Sequence, residues 1–523
     1  MPNLLTLLPT LGPVALILAG LVCFRNPGLR PGRALAASRF ASLFAMVAAL
    51  GTIGVLIAFG PGDGMVIGSG WFALGDRIDP LSTSLFTLIA FIGVIVLQYS
   101  RNYLDGDAAQ GRFLGWMCLT LAAVMFLVLS GTLFQLALAW IATSLGLHKL
   151  LIFFKDRPAA TVAARKRTVV ARLGDISLIA AFALLVSAFG ETQISAILAA
   201  AEAGQGSTSI TIAACLIALA ALLKSAQFPT HGWLIEVMET PTPVSALLHA
   251  GIVNAGGFLV IRFADVMLLA LPSLWLLAFV GGVTALIGVA VMLTQSRIKN
   301  QLAWSTVAQM GFMLMQCGFG AFSLALLHII AHSLYKAHSF LSSGSVIDAV
   351  RVPTTHGAYS RPDFSRFAVG AAAALTFYVG IGSLMGVQLT EKPGWMVFGA
   401  VLVLALARFM AKSLAAKSWA ASVMRIGAAS VALSALYFGL QIGAAWMVGD
   451  SLPAKAITSP VLVAMMIGFT VSFVLLMAVQ HLPASIARTR FAEAMRIHTT
   501  NGFYANAMFN RLVGASRGQS KAV

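Results

Sequence analysis

The sequence has few charged residues for its length. Only 10% of its 523 residues are Asp, Glu, Lys or Arg, whereas soluble domains carry about 25%. Apolar residues make up 59% of the chain, and its mean hydropathy is +0.91. Because so few charges cannot cover a water-facing surface, the composition excludes a string of soluble domains and predicts one polytopic membrane unit.

Cysteine is also scarce, and its spacing gives no sign of a cross-linked or metal-binding site. The four cysteines lie far apart in apolar stretches, at Cys23, Cys118, Cys215 and Cys317. The sequence contains no Cys-x-x-Cys pair and no Cys/His cluster, which argues against a disulfide framework and against a zinc site. We therefore expect no metal or cofactor on this chain.

Long apolar runs, by contrast, fill the sequence. A bilayer core of about 30 Å needs roughly 20 apolar residues per helix, and this measure predicts an all-α polytopic protein with about fifteen transmembrane spans. We place these spans near 4–24, 40–60, 80–99, 113–130, 132–154, 168–188, 209–228, 244–268, 272–294, 301–318, 322–349, 367–389, 395–411, 424–447 and 459–481. The stretch 229–242 does not fit a full span, and because prolines bracket it we predict a broken helix there.

The 34 basic residues outnumber the 17 acidic ones, an excess that in a soluble chain would indicate nucleic-acid binding. Most of these cations fall on one side of the predicted spans, whereas the other side keeps only Arg77, Lys392 and Lys455. The positive-inside rule then predicts an N-terminus outside and a basic cytoplasmic tail, 483–523. We expect a bacterial inner membrane as the location. The uncharged first run, followed by a basic cluster, favours a transmembrane helix over a cleavable signal peptide. The tail is expected to contact either lipid headgroups or a partner protein.

A few charges remain inside the spans, where each costs at least about 2.5–3.5 kcal/mol at the bilayer centre. Arg172 and Asp175 are spaced i, i+3, so they share a helix face and can form a structural ion pair or belong to a conduction path. Lys224 lies deep in its span, shortly before a proline, so we expect it at a helix break where burial favours loading and release of a proton. Charges near span ends are expected to snorkel to the interface: Arg262, Asp265, Asp348 and Arg408.

A second set of polar residues follows a helical period. His328, His332 and Lys336 are spaced i, i+4, i+8 and therefore line one helix face. Histidine titrates near pH 6.5, so such a file can pass protons through ordered water. A metal-binding histidine pair is the rival interpretation, although no third ligand is visible. His249 either belongs to the same path or is a hydrogen-bonded core histidine.

These residues belong to motifs that resemble the antiporter-like subunits of respiratory complex I and the Mrp cation/proton antiporters. The matching stretches are Lys224-Ser-Ala-Gln-Phe-Pro, Pro241-Thr-Pro-Val-Ser-Ala-Leu-Leu-His249-Ala, Ser305-Thr306 with Gln309-Met-Gly311, and His328 through Ile347. Two more, Arg172-Leu-Gly-Asp175 and Asp79-Pro-Leu-Ser82, match the chain-5 branch. The resemblance covers roughly residues 75–350.

The resemblance implies two inverted five-helix repeats, each with a broken helix, and a polar proton path near the membrane midplane. The corresponding division is N-terminal helices 1–112, first repeat 113–268, second repeat 269–418, C-terminal helices 419–482 and tail 483–523. By residue matching, the proton-transfer positions of the family fall on Lys224, His249, His328, His332 and Lys336. Asp175 takes a conducting or pairing position.

The sequence also departs from this family. The family's glutamate after the fifth-helix tryptophan is absent, since Ile141 follows Trp140. The same helix instead carries His148 and Lys149, which together with Arg172 are possible accessory groups. The span 367–389 holds no charge, so the family's twelfth-helix lysine has no counterpart. A short basic tail stands in place of the long lateral helix of complex I chain 5, which disfavours a place in a respiratory complex.

Two further stretches, Trp233–Pro243 and Arg490–Tyr504, are similar to the stand-alone DabB branch, the membrane subunit of a two-protein system that accumulates dissolved inorganic carbon. In that family a cytoplasmic DabA-like partner, similar to a zinc carbonic anhydrase, hydrates CO2, and the membrane subunit couples this to a cation gradient. The resemblance implies a proton-conducting subunit that is not itself an enzyme, with Glu236 and Glu239 as a possible partner interface. The alternatives are an Mrp-type Na⁺/H⁺ antiporter subunit and the proton-pumping arm of a respiratory NADH-quinone oxidoreductase-like complex.

Overall fold

The computed structural model describes a helical membrane bundle. It covers residues 5–154, 158–204, 206–237, 240–344, 364–387, 398–404, 406–407, 410, 419–453, 459–479 and 489–512. Eleven helices in these ranges are long and apolar enough to cross a bilayer, so the prediction of an all-α polytopic protein is confirmed. The predicted number of fifteen spans is not confirmed. Glu239, Asp348 and Arg408 lie outside the described residues.

The described helices run in chain order with one small hairpin near the start. They are α1 (Leu8–Arg25), α2 (Gly32–Phe59), α3 (Pro80–Tyr103), α4 (Gln110–Leu129), α5 (Leu133–Leu151), α6 (Pro158–Phe189), α7 (Ile194–Glu202), α8 (Thr208–Lys224), α9 (Gly232–Glu236), α10 (Thr242–Ala250), α11 (Ala255–Arg262), α12 (Ala264–Leu268), α13 (Leu271–Met292), α14 (Ile298–Gly318), α15 (Phe322–Leu341), α16 (Phe364–Leu384), α17 (Trp419–Val448), α18 (Pro460–Val479), α19 (Arg490–Thr500) and α20 (Ala505–Leu512). The antiparallel hairpin pairs β1 (Gly62–Ile67) with β2 (Leu74–Ile78).

Two helix breaks lie close together in the middle of the chain. The first follows α8, where Ala226 adopts a left-handed φ of 50° and a turn leads into the short helix α9. The second follows α10, where residues 252–254 form one 3-10 turn before α11 begins. The broken helix predicted at 229–242 is therefore confirmed. Breaks of this kind are tolerated at membrane depth because the surrounding protein satisfies the freed backbone groups.

The two breaks pack directly against each other. The Ser225 hydroxyl donates a 2.8 Å hydrogen bond to the Val253 carbonyl oxygen. Gly256 makes this approach possible, since a Cβ there would lie 2.3 Å from the Ser225 hydroxyl and 2.4 Å from the Ala221 carbonyl oxygen. The stretch Thr242–Arg262 is almost wholly buried, so α10 and α11 form the centre of the bundle.

A buried ion pair anchors the end of α11, and it corrects one prediction. Arg262 does not snorkel: it is 3% exposed, and its guanidinium donates to both oxygens of Asp79 and to the Ser82 hydroxyl. Asp79 also caps α3 and pairs with Arg77 at 2.8 Å. Burial alone would raise the pKa of Asp79, but Arg262, Arg77 and the Ser82 amide hold it well below its usual range. Asp265 is only half-buried.

Candidate functional site

Lys224 is held inside the bundle at the last residue of α8. Its side chain is 7% exposed, and its ammonium group donates to the Trp140 carbonyl oxygen at 3.1 Å, the Thr143 hydroxyl at 2.9 Å and the Ser144 hydroxyl at 3.0 Å. It also lies 4.2 Å from the centre of the Trp140 ring. All three protons of the ammonium therefore have neutral acceptors on α5. We call Lys224, Trp140, Thr143 and Ser144 the first cluster.

The α6 helix brings an acid to the first cluster. Asp175 is 4% exposed, and Arg172 one turn earlier lies 3.1 Å from its carboxylate, as the i, i+3 spacing predicts. Gly174 packs α6 against Leu223 of α8, so Asp175 lies within electrostatic range of Lys224. Arg172 is half-exposed, and the pair thus extends from the first cluster towards the bundle surface.

The two accessory groups predicted on α5, His148 and Lys149, point to different neighbouring helices. The His148 ring nitrogen Nδ1 lies 3.2 Å from the Thr168 hydroxyl, which joins α5 to α6 one turn beyond Ser144. Lys149 is exposed and points instead towards Trp116 of α4, with its ammonium 5.9 Å from that ring. The structure therefore brings His148, but not Lys149, to the side of α5 that carries the first cluster.

Two buried cations near the start of α6 are not predicted by the sequence. Arg167 is 4% exposed and donates to the Ser144 carbonyl oxygen at 3.1 Å. Lys166 is fully buried and pairs with Glu236 of α9. Both residues fall in a basic stretch that the positive-inside rule assigns to a loop, whereas α6 begins at Pro158. Proline in the first turn of a helix was the signal that could have placed them on α6.

Glu236 accepts hydrogen bonds from other residues of the same chain. Its carboxylate accepts from Lys166, and the tail residue Asn506 donates to the same oxygen at 2.9 Å. Asn506 in turn accepts from Lys166 at 3.1 Å. The role of Glu236 at a partner interface stays a prediction, while the contacts that the structure describes for its carboxylate fasten the tail to α6 and α9. Glu239, its predicted companion, lies outside the described residues.

The histidine file predicted on α15 is present and packs against α14. The His328 and His332 ring centres are 6.0 Å apart, and His328 Nδ1 lies 3.0 Å from the Gln316 side-chain oxygen. Lys336 is fully buried and donates to the Leu302 carbonyl oxygen at 3.0 Å. The file borders an open groove of about 510 Å³ that also has Gln309 and Gln316 in its walls.

His249 lies next to this file in the core of the bundle. It is fully buried, stacks on Phe340 of α15 at 4.3 Å, and its Nδ1 lies 3.0 Å from the Thr306 hydroxyl. Thr306 donates at 3.1 Å to the Leu302 carbonyl oxygen, the acceptor of Lys336. His249 and Lys336 are therefore joined through two residues of α14. We call His249, His328, His332 and Lys336 the second cluster.

Two hydrogen bonds at the helix breaks lie between the clusters. Ser225, directly after Lys224, donates to the Val253 carbonyl oxygen, and Asn254 donates to the Ser333 hydroxyl at 2.8 Å. Ser333 is the neighbour of His332 on α15. The two clusters are thus separated by a region with polar groups of its own, and buried lysines in such an apolar bundle are chemically suited to holding and passing a cation.

Comparison with known proteins identifies the family. The model of the NADH:quinone oxidoreductase/Mrp antiporter transmembrane family matches residues 130–424, and that of the complex I chain 5 N-terminus matches 65–114. The chain is 39% identical over 447 residues to the probable inorganic carbon transporter subunit DabB2 of Halothiobacillus neapolitanus, covering 85% of this chain and 81% of that one. It is 44% identical over 274 residues to the corresponding DabB of Hydrogenovibrio crunogenus, covering 52% and 53%.

The fold comparison agrees with these matches. The Mrp complex of Dietzia sp. superimposes with a TM-score of 0.67 and 24% identity, over 99% of this chain and 60% of that one. At this identity the likeness concerns the fold, and it matches the antiporter-like architecture that the sequence motifs imply. The chain therefore belongs to the family of NADH:quinone oxidoreductase/Mrp antiporter membrane subunits.

Proposed function

We propose that this chain is the ion-conducting membrane subunit of a two-protein system that accumulates inorganic carbon. It couples a proton or other cation gradient to CO2 hydration by a soluble, zinc-dependent partner of the carbonic-anhydrase-like DabA type. The observation that carries the proposal is the burial of two lysines, Lys224 and Lys336. The ammonium of Lys224, beside the first helix break, donates to neutral oxygen atoms of α5, and that of Lys336 donates to a carbonyl oxygen of α14. The substrate class is supported by the relatives of Halothiobacillus neapolitanus and Hydrogenovibrio crunogenus, which are probable inorganic carbon transporter subunits.

In this proposal the second cluster receives the proton and the first cluster delivers it. Protons enter along His328 and His332, pass Lys336 and His249, and reach Lys224 across the linked breaks. Asp175 pairs with the charge on Lys224, and the proton leaves at the end of the bundle that carries the tail. We assign this end to the cytoplasm of a bacterial inner membrane and the N-terminus to the outside.

The energy available is sufficient for the coupling. One elementary charge that crosses 100 mV releases about 2.3 kcal/mol, and about 1.36 kcal/mol changes an equilibrium tenfold. A single proton per turnover therefore shifts a hydration equilibrium roughly fifty-fold. The membrane subunit needs no catalytic site of its own, because the partner performs the hydration.

A growth assay tests the proposal. Cells that lack carbonic anhydrase grow in ambient air only when supplied with inorganic carbon, so co-expression of this chain with its soluble partner is expected to restore growth. Lys224→Ala and Lys336→Ala should each abolish the rescue at unchanged membrane protein level. Lys149→Ala is the matched control, since that lysine is exposed and turned away from the first cluster. Rescue by both buried-lysine variants contradicts the proposal.

The rival function is an Mrp-type Na⁺/H⁺ antiporter subunit, and the same cells separate the two. An antiporter subunit acts on Na⁺ and needs other membrane subunits rather than a soluble hydrating enzyme. Everted vesicles that hold this chain and its soluble partner should therefore show no Na⁺-driven change of lumenal pH. Exchange that depends on Na⁺ and not on the partner would support the antiporter, or a respiratory pumping arm if it required a quinone reductase.

A further inference from the structure

The last described helix of the chain, α20, is fixed to the bundle by one face. Asn506 bonds Glu236 and Lys166, and Asn510 donates to Glu236 at 3.4 Å. Phe509, between them on the helix surface, packs against the main apolar core. The contact is close, because a Cβ at Gly232 would lie 1.9 Å from the Asn506 side-chain oxygen. This side of α20 therefore has defined partners on α6 and α9.

The opposite face of α20 is apolar and exposed in the part of the chain that the structure describes. Met508 is 64% exposed and Leu512 is 84% exposed, and their i, i+4 spacing stacks them into one stripe. Arg511 is exposed beside them. Because α20 is attached to α6 and α9 through its other face, this stripe points away from those helices. An exposed apolar stripe on a helix marks an interaction surface.

The charge around the stripe indicates the chemistry of the surface that would bind it. Arg165 on α6 and Arg297 before α14 are exposed at the same end of the bundle as Arg511. Glu236, an acid of this region, is already neutralised by Lys166. An apolar centre within a basic rim is complementary to an apolar recess within an acidic rim.

We propose that the outward face of α20, formed by Met508, Arg511 and Leu512, is the docking surface for the soluble partner of this chain. The identity of that partner, though not the surface itself, rests on the proposed function. The partner presents an acidic surface around an apolar recess that takes both apolar side chains. α20, which carries this surface, is itself one hydrogen bond from Lys166, whose neighbour Arg167 donates to the Ser144 carbonyl oxygen, and the Ser144 hydroxyl accepts from Lys224.

An environment-sensitive fluorophore on Met508→Cys reports what covers the surface. The full chain is placed in nanodiscs of neutral phosphatidylcholine or of phosphatidylcholine with phosphatidylglycerol, in a Cys215→Ala background, because the other three cysteines are buried. We expect a water-like emission in both lipids and a blue shift when the purified DabA-type subunit is added. A blue shift caused by the anionic lipid alone assigns the surface to the membrane and overturns the proposal. No shift with a bound partner overturns it as well.

An affinity measurement supplies the second test. The double variant Met508→Glu/Leu512→Glu should bind the same subunit at least tenfold more weakly in nanodiscs, whereas Met495→Glu on α19 should bind as the unaltered chain does. Equal loss in both variants contradicts the assignment to α20. If the subunit binds at this surface but growth in air is not rescued, the docking proposal stands and the proposed function fails. If growth is rescued while the double variant binds normally, the docking proposal fails and the proposed function stands.

Discussion

The hydroxyl of Ser225 donates a 2.8 Å hydrogen bond to the carbonyl oxygen of Val253 and so joins the two helix breaks of the bundle. Each break leaves backbone groups without helical partners, and at membrane depth such groups must be satisfied by the protein. This bond does so for Val253, and it keeps the residue after Lys224 against the segment that leads to the second cluster.

Removal of this link should weaken both fold and function. Ser225→Ala leaves the Val253 carbonyl oxygen unsatisfied, at a cost of about 1–3 kcal/mol. Gly256→Ala should be worse, because its Cβ would lie 2.4 Å from the rigid Ala221 carbonyl oxygen. Thermal unfolding in detergent and growth rescue measure the two effects. Gly54→Ala on α2 is the control, since a Cβ there meets nothing within 4 Å; equal loss in that variant would contradict a specific role of the link.

The two buried lysines should be more important for transport than for stability. Burial of a charge costs free energy unless the charge is paired. The hydrogen-bond acceptors that the structure describes for both ammonium groups are neutral oxygens, so an apolar side chain of similar volume removes that cost. Lys224→Met and Lys336→Met are therefore expected to unfold at the same or a higher temperature, while the growth rescue is lost. Lys149→Met should preserve both. A large drop in the unfolding temperature together with preserved rescue would show that the lysines are structural.

The ion pair between Asp79 and Arg262 should, in contrast, be structural. Asp79→Ala leaves Arg262 buried without its carboxylate, which costs about 3–5 kcal/mol for a buried pair. The matched control Asp105→Ala removes the partner of Arg30 in an exposed pair and should change the unfolding temperature little. If both variants lose equal stability, burial is not what makes the Asp79 pair important.

The same pair predicts a dependence of stability on pH. The pKa of Asp79 is lower in the folded chain than in the unfolded one, so its contribution is complete above the unfolded value near 3.9. As the pH falls below that value towards the folded pKa, the contribution is lost. Unfolding temperatures measured between pH 6 and pH 3 should fall more steeply for the unaltered chain than for Asp79→Asn. Parallel curves would contradict the lowered pKa.

The sequence predicts most of the local structure but few of the long-range contacts. Apolar run lengths place the spans, and Pro229 and its neighbours predict the break after Lys224, because both signals act within one helix. The histidine file follows from the helical period alone. The pairing of Arg262 with Asp79 joins residues 183 positions apart, and no local pattern distinguishes a paired end residue from one that snorkels.

The start of α6 shows a second kind of contact that the sequence does not predict. The positive-inside rule counts cations between spans as loop residues, so Lys166 and Arg167 are assigned to water although both are buried. The helix extends beyond its apolar stretch, and Lys166 near its start is paired with Glu236 of α9. The two hydrogen-bond partners that the structure describes for Lys166, Glu236 and Asn506, lie 70 and 340 residues away, which explains why the basic stretch alone does not reveal the contact.

That contact gives the final prediction, which concerns Glu236. Glu236→Ala removes the carboxylate that holds Lys166, Asn506 and Asn510 together. Stability should fall by less than the roughly 3–5 kcal/mol typical of a fully buried pair, because the Glu236 side chain is 22% exposed. The tail should also leave the bundle, so trypsin should cleave after Arg511 faster than in the unaltered chain, in the absence of any partner. Glu493→Ala, which removes an exposed acid of α19, should change neither measurement. If Glu236→Ala weakens partner binding but leaves stability and cleavage unchanged, Glu236 faces the partner. Its contacts with Lys166, Asn506 and Asn510 then do not hold α20 in place.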